Sequence, residues 1–130
     1  MVLLFSMLIL VSEPDTDKIK LSVQEICPVS GNKLSIDAGP VKVKVGKEVV
    51  FLYSKNQLGE KISPIHWVVI HDNFRKAQKK CPVMGLDLPK KPKWVIVKGQ
   101  IIYVCCPPCI PKIKKDPDKY IKEIYKNYDN

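Results

Sequence analysis

The sequence predicts an α+β chain made of two small β-hairpin-plus-helix units in tandem, and three observations predict it. First, the segment Cys27-Pro28-Val29-Ser30-Gly31-Asn32-Lys33-Leu34 lines up with Cys81-Pro82-Val83-Met84-Gly85-Leu86-Asp87-Leu88, a self-similarity that marks an internal repeat. Second, each copy is followed by two short strand-like runs joined through a glycine, the signature of a hairpin. Third, Ser63-Pro64 and Asp116-Pro117 each stand ahead of an amphipathic stretch, as expected where proline occupies the first helical position.

The elements follow in chain order. Residues 1–11 (MVLLFSMLILV) form an apolar run. It is shorter than the roughly 20 residues needed to span a bilayer, and its length suits the apolar core of a secretory signal. A periplasmic or otherwise exported protein is therefore expected, touching a membrane only through this segment if it stays attached; the competing reading is a buried first strand or helix of the domain. Residues 12–18 (SEPDTDK) read as a linker, so that residues 1–18 precede the units at 19–80 and 81–130.

In the first unit Val41, Val43 and Val45 alternate with Lys42 and Lys44, giving a strand with one wet face. Gly46-Lys47 turns the chain into a second strand over 48–53. In the second unit 94–97 and 100–104 are the paired strands, joined by Lys98-Gly99. Their almost continuous apolar character predicts burial on both faces. A helix capped by Ser63 is expected over 64–79, a short helical turn near Cys109, and a C-terminal helix from Pro117 with Tyr120, Ile121, Ile124 and Tyr125 on its apolar face. Trp67, Trp94 and Tyr103 are expected in the core.

A chain of 130 residues is the size of one ordinary domain or of two very small ones sharing a core. Its net charge of +9 comes from 22 basic residues, of which only Arg75 is an arginine. Phosphate and base recognition favours the bidentate guanidinium, so a lysine excess scattered along the chain reads as a solvated surface and not as a nucleic-acid groove.

The chemistry-bearing residues are the cysteines. Cys81 precedes the second hairpin, and Cys105 and Cys109 follow it in C-x3-C spacing with Cys106 adjacent. A hairpin returns its exit to its entrance, so Cys81, Cys105 and Cys109 converge. A strand end and a helix start both favour thiolate over thiol. Sulfur ligands suit Cu(I) and Zn(II), whereas Mg(II) and Ca(II) take oxygen. Met84 could add a thioether. The competing reading is a disulfide with buried thiols, which an exported protein permits.

A Cys106/Cys109 C-x-x-C redox couple is a further alternative, although the βαβ pattern of a thioredoxin-like domain is missing. So is an interaction module with a structural metal whose lysine-rich surface docks on an acidic partner. His66 and His71 are five apart, about 140° around a helix, so they do not converge on one ion. No catalytic constellation, phosphate loop or paired acidic motif is present, and a non-enzymatic role is expected.

The run Cys81-Pro82-Val83-Met84-Gly85, then Tyr103-Val104-Cys105-Cys106-Pro107-Pro108-Cys109, then Lys115-Asp116-Pro117-Asp118-Lys119-Tyr120 resembles the YHS/TRASH group of small metal-binding domains over residues 81–126. The resemblance implies a treble-clef, zinc-finger-like second unit and a role in trafficking, buffering or resistance to heavy metals, with a metal-transfer protein as partner. The family's ligands fall on Cys81, Cys105 and Cys109. Ile113 stands where the family often carries an aromatic residue. In the first unit Tyr53, Ser54 and Gln57 occupy the positions of Cys105, Cys106 and Cys109, leaving Cys27 alone. That copy is degenerate, and one metal per chain is expected; Cys27 reads as a small buried residue left over in it, the alternative being that the units pack so that Cys27 reaches Cys106 or completes the cluster as a fourth ligand.

Overall fold

The computed structural model describes residues 14–129; the apolar run at 1–11 lies outside them. The elements are α1 (Pro14–Gln24), β1 (Val41–Val45), β2 (Glu48–Leu52), α2 (Pro64–Gln78), β3 (Lys93–Val97), β4 (Gln100–Val104), α3 (Cys109–Lys115) and α4 (Pro117–Tyr128). The fold is mixed α+β, with two antiparallel hairpins and these four helices among the described residues. No helix among them is long and apolar enough to cross a membrane.

The linker expected over 12–18 is corrected by α1, which begins at Pro14. Proline fits the first helical position, where its missing N–H costs nothing. Asp17 pairs with Lys42 of β1 at 3.1 Å, and Leu21 is buried in the first hairpin's core, so the segment has a surface to pack on.

Both hairpins pair in simple register, Val43 opposite Val50 and Val95 opposite Ile102. They meet at a bridge between Glu48 and Gly99, where the Val49 N–H donates to the Gly99 carbonyl at 2.8 Å. A methyl group on Gly99 would lie 2.6 Å from Val49 Cγ2, so the close approach of the hairpins requires glycine there.

β4 is buried along its whole length. One face, Ile102 and Val104, packs with Val95, Cys109, Ile113 and Ile124. The other, Ile101 and Tyr103, packs on Ile70 and Phe74 of α2. β3 does not share this. Its Trp94, expected in the core, is 55% exposed, because on the face it shares with Tyr103 only Ile96 of β3 packs against the α2 cluster. Tyr103 is buried, and Trp67 is half-buried with its ring edge-on to His71 at 4.7 Å.

Ser63 occupies the N-cap position of α2 but makes no side-chain cap bond. Its backbone serves instead: the Ser63 N–H donates to the Pro28 carbonyl at 2.9 Å and its carbonyl accepts from Trp67 N–H at 3.0 Å. α4 lays Tyr120, Ile121, Ile124 and Tyr125 against the second hairpin's core. Tyr125 Oη donates to Gln100 Oε1 at 2.9 Å, and Gln100 Nε2 donates to Tyr128 Oη at 3.1 Å, tying the helix to the start of β4.

The repeat is deeper than its cysteines. Each copy begins one helix earlier, so α2 is the counterpart of α1. Glu25 and Lys79 both take a left-handed φ at the helix end. Their N–H groups donate to Leu21 and Arg75 carbonyls, and their own carbonyls accept from Leu34 and Leu88. Cys27 and Cys81 each open a tight knuckle, closed by the Gly31 N–H on Cys27 O at 2.9 Å and the Gly85 N–H on Cys81 O at 2.8 Å.

Candidate metal centre

Three segments of the second repeat supply the thiols. The knuckle after α2 presents Cys81, the end of β4 leads into Cys105 and Cys106, and Cys109 opens α3. Pro107 and Pro108 shape the turn between them, with Cys109 N–H donating to Cys106 O at 3.2 Å and Ile110 N–H to Pro107 O at 3.0 Å. Pro111 is accommodated in the first turn of α3, where backbone N–H groups have no helical partner. Ile113, one turn on, is fully buried and anchors α3 beneath the hairpin.

The Sγ atoms of Cys81, Cys105 and Cys109 all lie within 4.8 Å of one another, near enough to hold a metal ion. Cys81 Sγ is 3.7 Å from Cys109 Sγ. Cys106 is not part of that mutually close trio, yet its sulfur stands 3.7 Å from Cys109 Sγ and 3.8 Å from Cys105 Sγ. A tetrahedral ion with bonds of about 2.3 Å to thiolate sulfur holds its ligands about 3.8 Å apart. The 81–109, 105–106 and 106–109 spacings match that edge and are far from the roughly 2.05 Å of a disulfide; all five cysteines are free thiols. Cys81 and Cys109 are buried, whereas Cys105 and Cys106 are half-buried.

The thiols differ in acidity for identifiable reasons. Burial alone would raise the Cys81 pKa, but the backbone amides of Met84, Cys105 and Val83 hydrogen-bond its sulfur and together hold it below the ordinary thiol value. Cys109 goes the other way: burial first, then the neighbouring Cys106 and Cys81 sulfurs, push it up to about 12. Cys105 is also raised, by desolvation and then by Cys81 and Cys106. The raised pKa values of Cys105 and Cys109 oppose thiolates beside Cys81 in the absence of a cation, and a metal ion held by these three would displace their protons.

The other sequence candidates are placed as follows. Met84 is exposed, neither packed beneath the hairpin nor turned into the core, and contributes its backbone amide to Cys81. His66 and His71 do not meet: His71 Nε2 bonds both Glu48 carboxylate oxygens at 2.9 and 3.0 Å, and His66 stacks against Gly31. Cys27 is fully buried and stands apart from the trio, its sulfur held by Ser30, Tyr53 and Val29. These are the counterparts of Met84, Cys105 and Val83. The first repeat therefore keeps the thiolate nest and lacks the partner thiols.

Sequence reasoning missed Gln78 and Gln24. Gln78 is fully buried and clasps Tyr103, accepting its N–H at 2.9 Å and donating to its carbonyl at 2.7 Å. Gln24 does the same to Phe51, at 2.9 and 2.8 Å. The signal was present as Q-x-x-C-P-V in both copies, Gln24 to Val29 and Gln78 to Val83. Set against known proteins, the chain matches no family model, no curated protein and no solved structure.

Proposed function

We propose that the second repeat is a YHS/TRASH-like, treble-clef-like module that binds one Zn(II) or Cu(I) per chain. Cys81, Cys105 and Cys109 are the principal ligands, and Cys106 is the fourth. The observation that carries this reading is the set of 3.7–3.8 Å sulfur–sulfur spacings, drawn from three separate segments of chain. An all-sulfur donor set selects a soft or borderline ion over Mg(II) or Ca(II). Half-exposed Cys105 and Cys106 leave the ion reachable from one side, which suits buffering or hand-over to a partner protein, in the periplasm if residues 1–11 direct export. The role is binding, not catalysis.

Elemental analysis of anaerobically purified protein tests this: about one Zn or Cu per chain is expected, with Cys105→Ser losing it. Protein that is metal-free, refuses added Zn(II) and Cu(I), and titrates five thiols would overturn the reading.

One observation favours a second reading. Cys106 and Cys109 sulfurs already touch at 3.7 Å, so closure to a disulfide of about 2.05 Å needs little movement. A reversible two-electron oxidation of this pair in protein that takes no metal would select the redox couple instead.

A further inference from the structure

The same buried glutamine clasp recurs in a repeat that has a thiol site and in one that does not, and this contrast separates what the clasp does from what a metal would do. A glutamine carboxamide carries one acceptor and a donor group, the same pair that a peptide unit of a further strand would present. Gln78 uses them on the edge of β4 facing away from β3, satisfying Tyr103 N–H and C=O, and its Nε2 also donates to the Lys80 carbonyl at 3.0 Å. Lys80 immediately precedes Cys81, and Tyr103 stands two residues before Cys105. One side chain thus fixes the distance between the two segments that bring those thiols together. The Cys105 amide on the Cys81 sulfur reads out the result.

The first repeat shows how much of this stands without a cluster. Gln24 clasps Phe51 and donates to the Ile26 carbonyl at 3.1 Å. The knuckle, the left-handed residue before it, the amide nest at Cys27 and the hairpin all have the same form. Yet Tyr53, Ser54 and Gln57 replace the partner thiols. A helix, a clasped hairpin and a knuckle therefore keep this shape with no ion to hold them.

We propose that Gln78 is a positioning residue that sets the Cys81 and Cys105 segments in metal-ready geometry before any ion arrives. The metal is then exchangeable cargo on a self-supporting fold. This rests on the reading of the thiols as a metal site and adds to it the order of events: structure first, ion second.

The test uses the full chain, anaerobic and reduced, with Co(II) as optical probe and Zn(II) for NMR. After chelation, wild-type protein is expected to keep a cooperative thermal melt and a protected Tyr103 amide, with exchange little changed by Zn(II). Gln78→Leu is expected to lower Co(II) affinity about 10- to 100-fold, the usual effect of losing a group that orients ligands, and to weaken the tetrahedral d–d bands. Gln24→Leu breaks the matching clasp in the first repeat and should leave Co(II) affinity and spectrum unchanged.

Unfolding of the wild type on chelation, or loss of Tyr103 protection without Zn(II), overturns the proposal even if Gln78→Leu fails to fold. Equal Co(II) loss in both variants also overturns it, since the clasp would then be only structural. If wild type binds neither Co(II) nor Zn(II), the metal reading itself falls and the positioning role falls with it. That outcome is distinct, because the metal-free melt and exchange still report a folded protein.

Discussion

Cys81 Sγ and Cys109 Sγ touch at 3.7 Å although 28 residues separate them in sequence. The contact joins a knuckle at the end of one helix to the first turn of another, with a β-hairpin between, so neither residue could be moved without moving an element. Both are buried, and a sulfur removed here cannot be replaced by water without cost. If a thiolate site of four ligands binds with about 10–16 kcal/mol, each ligand carries roughly a quarter. Cys81→Ser or Cys109→Ser should therefore weaken Zn(II) binding on the order of a hundred- to a thousandfold. Cys106→Ser, at the half-exposed edge, should cost less. Competition with a chromophoric chelator ranks the variants, and a larger loss for Cys106→Ser than for Cys81→Ser would refute this hierarchy.

The two knuckle glycines make a matched pair for stability. Gly31 and Gly85 have φ of +77° and +73°, where any side chain is strained by about 1–2 kcal/mol. A methyl group on Gly31 would also meet His66 Nε2 at 2.5 Å, whereas nothing lies within 4 Å of one on Gly85. Gly31→Ala should thus cost an additional 1–3 kcal/mol or so over Gly85→Ala, from overpacking against α2. Urea unfolding of the two variants checks the difference; equal midpoints would show that His66 gives way freely.

Lys20 is a buried cation whose Nζ donates to the Val49 carbonyl. Burial lowers its pKa to about 8, with Glu48 opposing the fall. Between that value and the ordinary 10.5 the unfolded chain binds more protons than the folded one, so stability from this group rises with pH across the window. Below pH 8 the full cost of the buried charge is present. Comparing wild type with Lys20→Met isolates the term, because other groups cancel. The stability difference should move in favour of wild type by on the order of 3 kcal/mol from pH 8 to 10.5. A flat difference would mean Lys20 stays well solvated.

Ile113 tests the link between core and site. It is fully buried among Val95, Ile102, Val104 and Ile124, one turn beyond Cys109. Ile113→Ala should destabilise the protein by about 2–5 kcal/mol. It should also weaken Zn(II) binding, since α3 seats on this side chain. Ile70→Ala, in the separate cluster between α2 and β4, should lose comparable stability and keep Zn(II) affinity. Parallel losses of affinity in both would remove the distinction.

Much of the fold was legible because its determinants are local. The alternation in β1, the glycine turns, and the Pro-started helices α2 and α4 each depend on near neighbours in sequence, and the strands and helices fall within a residue or so of expectation. α1 was not legible, because its charged sequence looks like a linker until Leu21 has a hairpin to pack on. Trp94 was misplaced for a related reason. Apolar character says that a residue can be buried, but the reach of the α2 cluster decides whether it is.

The convergence of Cys81, Cys105 and Cys109 could be anticipated, because a hairpin must return its exit to its entrance and the repeat exposed which positions in the first copy had lost their thiols. Sequence by itself thus named Cys81, Cys105 and Cys109 as the candidate trio, with Cys106 beside it, and left open whether Cys27 or Met84 joins them. Only the tertiary structure decided how those sulfurs are spaced, that Cys106 touches two of them, and that Cys81 sits in a nest of amides. It alone revealed the glutamines. A buried carboxamide is recognised by what its two ends bond to, and the Tyr103 backbone lies 25 residues from Gln78 in the chain. Hydrogen bonds over that span carry no periodicity for a sequence to display; they exist once the strand edge and the helix end have been brought face to face.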